Sequence, residues 1–225
     1  MATILISGAN RGIGLELARL YLSRGFEVVA GVRDPASAPA GALAGATVLA
    51  LDVASDESVA ALAAALKGRP IDILVNNAGV IGPPRQSSTD MDFAGFLDTL
   101  NVNTVGPLRL TQALLPNLRL SKLRPRVAVL TSRMGSLSSA QSDSLAYRAS
   151  KAAANKVVQG LATDLVSDGI AVAAIHPGWV RTDMGGSAAD IDAATSVRGI
   201  AAVLDGLSLA TTGRFVDHGG NELPW

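Results

Sequence analysis

The sequence predicts a doubly wound α/β fold built on one seven-stranded parallel sheet with helices on both faces. Three observations carry this reading. Seven short runs are rich in apolar and β-branched residues, longer amphipathic stretches separate them, and a glycine-rich turn directly follows the first run. Nearly continuous apolar strands that alternate with helical patterns belong to parallel sheets buried on both faces. The runs are TILIS (3–7), EVVAGV (27–32), TVLAL (47–51), IDILV (71–75), RVAVLTS (126–132), IAVAAI (170–175) and the weaker RFVD (214–217). Helices are expected over 12–24, 55–67, 89–119, 145–168 and 193–209. Asp56 and Glu57 suit the positive first turn of the second helix, and Gly25 and Gly169 follow two helices as C-terminal stops. RDPASAPAGALAGA (33–46) interrupts the alternation, being too short and too rich in Pro and Gly for a full helix. A turn or stunted helix is expected there. No linker or repeat appears, so 1–225 reads as a single domain.

Composition narrows the function. The 225 residues are 48% hydrophobic and only 17% charged, which suits a packed globular core. Nineteen basic residues balance nineteen acidic ones, leaving no basic excess to neutralise phosphates, so no nucleic-acid partner is expected. Without cysteine there is neither a disulfide framework nor a thiolate metal site. MATILISGAN enters an apolar strand at once, without the basic flank and longer apolar core of a secretory signal. No apolar run approaches the ~20 residues that cross a bilayer. The expectation is a soluble, cytoplasmic protein with no membrane partner.

SGANRGIG (7–14) closes the first strand and opens the first long helix. Gly8, Gly12 and Gly14 let the backbone turn tightly and approach a pyrophosphate at the helix N-terminus, as in Rossmann-type folds, although the spacing is Gly-x-x-x-Gly-x-Gly. Such sheets bind ligands outside the carboxyl ends of their strands. Asp52 in LDV (51–53) ends the third strand, where it can meet an adenine amine. NNAG (76–79) ends the fourth, and read alone it is an ordinary Asn/Gly turn.

AYRASKAAANK (146–156) places Tyr147 and Lys151 one helical turn apart, hence on one face. A phenol beside an ammonium ion ionises more easily. In isolation the pair reads as a surface anchor and a solvated lysine. His176 and His218 share no ligand spacing with an acid or cysteine cluster, so both read as structural and no metal site is expected. A hydrolase of the nucleophile-elbow type would carry Gly-x-Ser-x-Gly, which is absent.

With SGANRGIG, NNAG, NVNTVG (101–106), LTSRMGS (130–136), YRASK (147–151) and HPGWVRTDM (176–184) standing in order, the sequence resembles the short-chain dehydrogenase/reductase family. The likeness covers nearly the whole chain. Within the family it is similar to the carbonyl-reductase-like branch that includes sniffer and C-factor proteins, through SRMGS, YRASKAAAN, HPGWVRTDMGG and GRFVDHGGNELPW. The resemblance implies an oxidoreductase that interconverts a small or medium carbonyl and its alcohol by hydride transfer with a nicotinamide. Tyr147 would exchange the proton, Lys151 would lower its pKa and hold the ribose, Ser132 would polarise the carbonyl, and Asn103 would hold a water in the proton path. The family usually places the serine thirteen residues before the tyrosine, which here is Met134. TSRMG nonetheless aligns Ser132 with the catalytic slot, leaving Ser136 and Ser138 as weaker candidates.

The cofactor contacts implied are Gly8, Asn10, Arg11, Gly12, Ile13, Gly14, Arg33, Asp52, Val53, Asn76, Ala78, Gly79, Tyr147, Lys151, Pro177, Gly178, Val180 and Thr182. NADP(H) is expected over NAD(H). The slot for an acidic ribose ligand falls on Val32, and Arg33 and Arg11 suit a 2′-phosphate. The alternative gives the 2′-hydroxyl of NAD to Asp34, which reads more naturally as a turn residue before Pro35. Residues 185–196, the family's substrate lid, are short and small here, as in an open site. The family pairs two subunits through the helices at 89–119 and 145–168, so a homodimer is expected. The competing function is a C-factor-like NADP(H)-binding signalling or sensor protein with little turnover.

Overall fold

A computed structural model describes residues 1–39 and 41–225. Seven parallel strands, β1 (Thr3–Ser7), β2 (Glu27–Val32), β3 (Thr47–Ala50), β4 (Ile73–Asn76), β5 (Arg126–Leu130), β6 (Ala171–His176) and β7 (Arg214–Asp217), form one sheet in the order β3-β2-β1-β4-β5-β6-β7. The chain steps outward from β1 to β3, then returns to pair β4 with the free side of β1, in register Ile4 to Ile73. That reversal opens a crevice at the carboxyl ends of β1 and β4, where open sheets take their ligands.

Alternation along each strand sorts the core onto two faces. Ile4, Ile6, Val28, Ala30, Ile73 and Val75 pack beneath α1 (Gly12–Ser23) and α6 (Ala193–Gly206). Leu5, Val29, Leu74, Val127 and Val129 meet α2 (Asp56–Ala65), α4 (Gly106–Arg119) and α5 (Leu145–Asp164). Both faces are therefore apolar, which is why the runs read as continuous.

The differences from expectation have local causes. Strand β4 starts at Ile73 rather than 71, because the buried Asp72 carboxylate accepts from the Thr3 backbone N–H at 2.7 Å. The helix expected over 89–119 begins at α3 (Phe93–Leu100), capped by Asp92, and a π turn at Asn101–Val105 separates it from α4. Pro107 has no N–H to offer the carbonyl of Asn103 four residues earlier, a local fault that widens the ladder. Helix α5 stops at Asp164, short of 168, and a 3₁₀ turn carries the chain to Gly169 at φ +73°. In 33–46 the stunted element is a 3₁₀ turn, Pro35–Ser37, capped by the Asp34 side chain, which accepts from the Ala36 N–H. Residue 40 of that stretch lies outside the described residues. No helix among the described residues is long and apolar enough to cross a membrane.

Candidate active site

The glycine loop is closed by contacts that tolerate no side chain. A Cβ on Gly14 would lie 2.3 Å from the Gly8 carbonyl oxygen, and Gly8 itself adopts φ +69°. Asn77 holds the loop to the end of β4, its amide donating to the carbonyls of Ser7 (2.8 Å) and Gly8 (3.0 Å). In return the Ser7 hydroxyl accepts from the backbone N–H groups of Asn77 (3.0 Å) and Ala78 (3.1 Å). Helix α1 opens from this loop with no side-chain cap and no acidic residue in its first turn. Its first N–H groups are thus left to an external acceptor, and the donor set fits the pyrophosphate of a dinucleotide.

The remaining sites expected to bind the cofactor line the same edge. Asp52 follows β3 with one carboxylate oxygen on the Ala54 N–H (2.9 Å) and the other without a partner among the described residues, and Val53 is buried against Gly106. Asn76 is buried and its amide donates to Thr111 (3.2 Å), so its backbone is what it can offer to the crevice. Gly79 borders Asn103 and Lys151: an added Cβ would meet Asn103 Oδ1 at 3.2 Å and Lys151 Nζ at 3.6 Å. Pro177, Gly178 (φ +89°), Val180 and Thr182 follow β6. Arg33, after β2, is exposed. The Arg11 guanidinium is bonded to the Asp183 carboxylate at 2.9 Å. Asp34 spends a carboxylate oxygen on the Ala36 N–H (3.0 Å), as a turn residue does.

Tyr147 and Lys151 share the inner face of α5 and are 9% and 5% exposed. The Lys151 ammonium lies 5.7 Å from the centre of the Tyr147 ring and donates to the Leu130 carbonyl at 2.8 Å. Burial brings its pKa down from 10.5 to about 8. The Tyr147 phenol departs from the sequence expectation. Burial pushes its pKa up from 10.0, and the Ser132 side chain beside it opposes that shift. Spacing put the two side chains on one face, but the ammonium is drawn to the end of β5 rather than to the phenol oxygen. Ser132 is the serine against the phenol, whereas Ser136 bonds Ser138 (2.8 Å) and the Trp225 carbonyl (3.2 Å).

Asn103 sits buried in the π turn. Its side chain is fully used, donating to Val80 O (2.8 Å) and Ser150 Oγ (2.9 Å) and accepting from Val80 N (2.9 Å). A water there would have to be held by its backbone carbonyl, the one Pro107 cannot serve.

Several contributors escaped the sequence reading. Besides Ser7 and Asn77, Ser150 links Asn103 to the Tyr147 carbonyl, donating to the latter at 2.7 Å. Gln86 caps α5, its carbonyl taking the Leu145 N–H (2.9 Å) and its side chain the Tyr147 N–H (3.1 Å). The cap residue Ser144, at φ +51°, makes no side-chain cap bond. Gly135 lets the loop after β5 press on α5, since a Cβ would fall 2.6 Å from the Lys151 carbonyl carbon. The second Asn of NNAG and the Ser inside YRASK were visible signals; Gln86 carried none. His176 is a buried core side chain, kept neutral by burial and by nearby Arg133 and His218, with its pKa down to about 4. Among the described residues no group of three or more His, Asp or Glu converges on a metal-sized site.

A crevice at the sheet reversal, an uncapped helix above a closed glycine loop, and a buried Tyr/Lys/Ser set beside it define a dinucleotide-dependent oxidoreductase. Residues 2–192 match the short chain dehydrogenase family, and the chain belongs to it. Over 157 residues it is 49% identical to the C-signal of Myxococcus xanthus, covering 69% of this chain and 93% of that one. The NADPH-bound carbonyl reductase from chicken fatty liver superposes with a TM-score of 0.91 at 31% identity, over 100% of this chain and 99% of that one. The carbonyl reductase Sniffer of D. melanogaster gives 0.90 at 32%, over 100% of both. The chain thus falls in the branch that holds the sniffer-type reductases and the C-signal.

Proposed function

We propose that residues 1–225 act as one NADP(H)-dependent catalytic domain that interconverts a small or medium carbonyl and its alcohol. The observation that carries this is the burial of Tyr147, Lys151 and Ser132 together at the crevice mouth. When bound, the nicotinamide supplies the hydride exchanged at the carbonyl carbon. The protein's part is the proton and the position. Burial keeps the Tyr147 hydroxyl protonated at neutral pH, so in reduction it donates its proton to the carbonyl oxygen. Ser132 donates a second hydrogen bond to that oxygen and stabilises the developing charge. Lys151 would hold the ribose hydroxyls, and a water held by the Asn103 carbonyl would pass a proton from solvent through Lys151 back to the Tyr147 oxygen.

Arg11 and Arg33 support NADP(H) over NAD(H), because guanidiniums pair with phosphate oxygens through paired hydrogen bonds. NADPH is expected to give the higher kcat/KM, and Arg33→Asp to move the preference towards NADH. A higher kcat/KM with NADH in the unmodified protein would refute this.

Assembly as a homodimer is supported by Phe93 and Leu97, 74% and 67% exposed one turn apart on α3. Light scattering at micromolar concentration should give the dimer mass; a monomer mass would count against it. The absence of cysteine fits a cytoplasmic location, which cell fractionation tests. A second reading, an NADP(H)-binding signal or sensor with little turnover, draws on the C-signal likeness. Against it, the reductases are matched along the whole chain and the Ser/Tyr/Lys set is intact.

A further inference from the structure

The segment after β6 reaches back across the crevice and touches the glycine loop at two adjacent points. The Arg11 guanidinium bonds the Asp183 carboxylate at 2.9 Å, and a Cβ on Gly12 would lie 3.4 Å from the Thr182 methyl. The turn that presents Asp183 is stiff. Gly186 N–H donates to the Thr182 carbonyl (2.9 Å), Gly185 N–H to the Thr182 hydroxyl (3.2 Å), and the Trp179 indole to the Gly185 carbonyl (2.9 Å). Gly185 has no room for a side chain, since its Cβ would fall 2.1 Å from the Val180 carbonyl oxygen. The backbone that carries Asp183 is therefore held in place, and its carboxylate meets the Arg11 guanidinium.

Both side chains of the pair remain largely in water, 65% and 77% exposed, and an exposed ion pair of this kind is weak. A phosphate dianion offers the same guanidinium more charge and a paired geometry. We propose that Asp183 is a cofactor-selectivity residue: it is the resident counter-ion of Arg11, and a 2′-phosphate must displace it. The inference rests on the reading of Arg11 as a 2′-phosphate ligand. Binding of NADP(H) then opens this Arg11–Asp183 latch, whereas a cofactor with a bare 2′-hydroxyl leaves the latch closed. By linkage, whatever the latch contributes is subtracted from the affinity for NADP(H) and not from that for NAD(H).

The test is a set of fluorescence titrations of NADPH and NADH against the unmodified protein, Asp183→Asn, Arg11→Gln and the double variant. Both positions are exposed, so the substitutions should leave the fold intact. Asp183→Asn should tighten NADPH about two- to fivefold at low salt, the range of an exposed ion pair, and leave NADH unchanged. The gain should shrink towards about 0.5 M salt as screening shortens to a few ångströms. It should vanish in the Arg11→Gln background, because the two residues then no longer couple. If Arg11→Gln weakens NADPH but Asp183→Asn leaves it unchanged, or tightens both cofactors equally, the latch is wrong while Arg11 keeps its phosphate role. If Arg11→Gln leaves NADPH affinity untouched, the reading of Arg11 fails and the role of Asp183 falls with it.

Discussion

Tyr147→Phe is expected to lower carbonyl reduction by at least ~10²-fold, the usual cost of losing a general acid. The substitution keeps the buried ring and removes only its exchangeable proton. Helix α5 is capped from Gln86 through backbone groups and packs through small residues, so neither its position nor the glycine loop depends on the phenol oxygen. Cofactor affinity and thermal stability should stay near those of the unmodified protein, which separates a chemical loss from a folding one. A Phe variant that turns over at a near-normal rate would remove Tyr147 from the reaction.

Lys151→Met should cost activity on the same scale, with a signature in stability that Tyr147→Phe lacks. Burial lowers the lysine pKa from 10.5 to about 8, so the unfolded chain holds this proton more tightly than the folded one. The resulting destabilisation is complete below about pH 8 and fades as the pH rises to 10.5. At about 1.4 kcal/mol per pKa unit, it is on the order of 3 kcal/mol at neutral pH. Methionine removes that cost but leaves the Leu130 carbonyl without its donor, a penalty of roughly 1–3 kcal/mol at every pH. Relative to the unmodified protein, the Met variant should therefore be most favoured near neutral pH and progressively less so towards pH 10. Denaturant melts at several pH values measure this directly. A stability difference that does not change with pH would show that Lys151 is not held as a depressed, buried ammonium.

Much of this was legible in the sequence because parallel strands buried on both faces announce themselves as apolar runs. TILIS and RFVD became β1 and β7 without a shifted residue. The glycine loop was legible from its place at the first strand-to-helix turn, since such a spacing taken alone is often only a loop. Periodicity read straight through 89–119 and missed the π turn, because NVNTV keeps a helical pattern and only Pro107, four residues after Asn103, betrays the fault. Spacing also placed Tyr147 and Lys151 on one face but said nothing of where the ammonium points. That is decided by the Leu130 carbonyl, 21 residues away in the chain. The Arg11–Asp183 pair spans 172 residues and belongs wholly to the tertiary structure. What pattern cannot supply is the pairing of polar groups from distant loops, and these loops at one sheet edge make the site.

The most direct test of the central claim is NADPH oxidation by the unmodified protein, followed by its absorbance, against a panel of aldehydes, diketones and quinones. A buried Tyr147 that keeps its proton beside Ser132 should give turnover with at least one class of carbonyl, and Tyr147→Phe should lower it at least ~10²-fold. Tight NADPH binding with no turnover across the whole panel would contradict the account and favour the sensor.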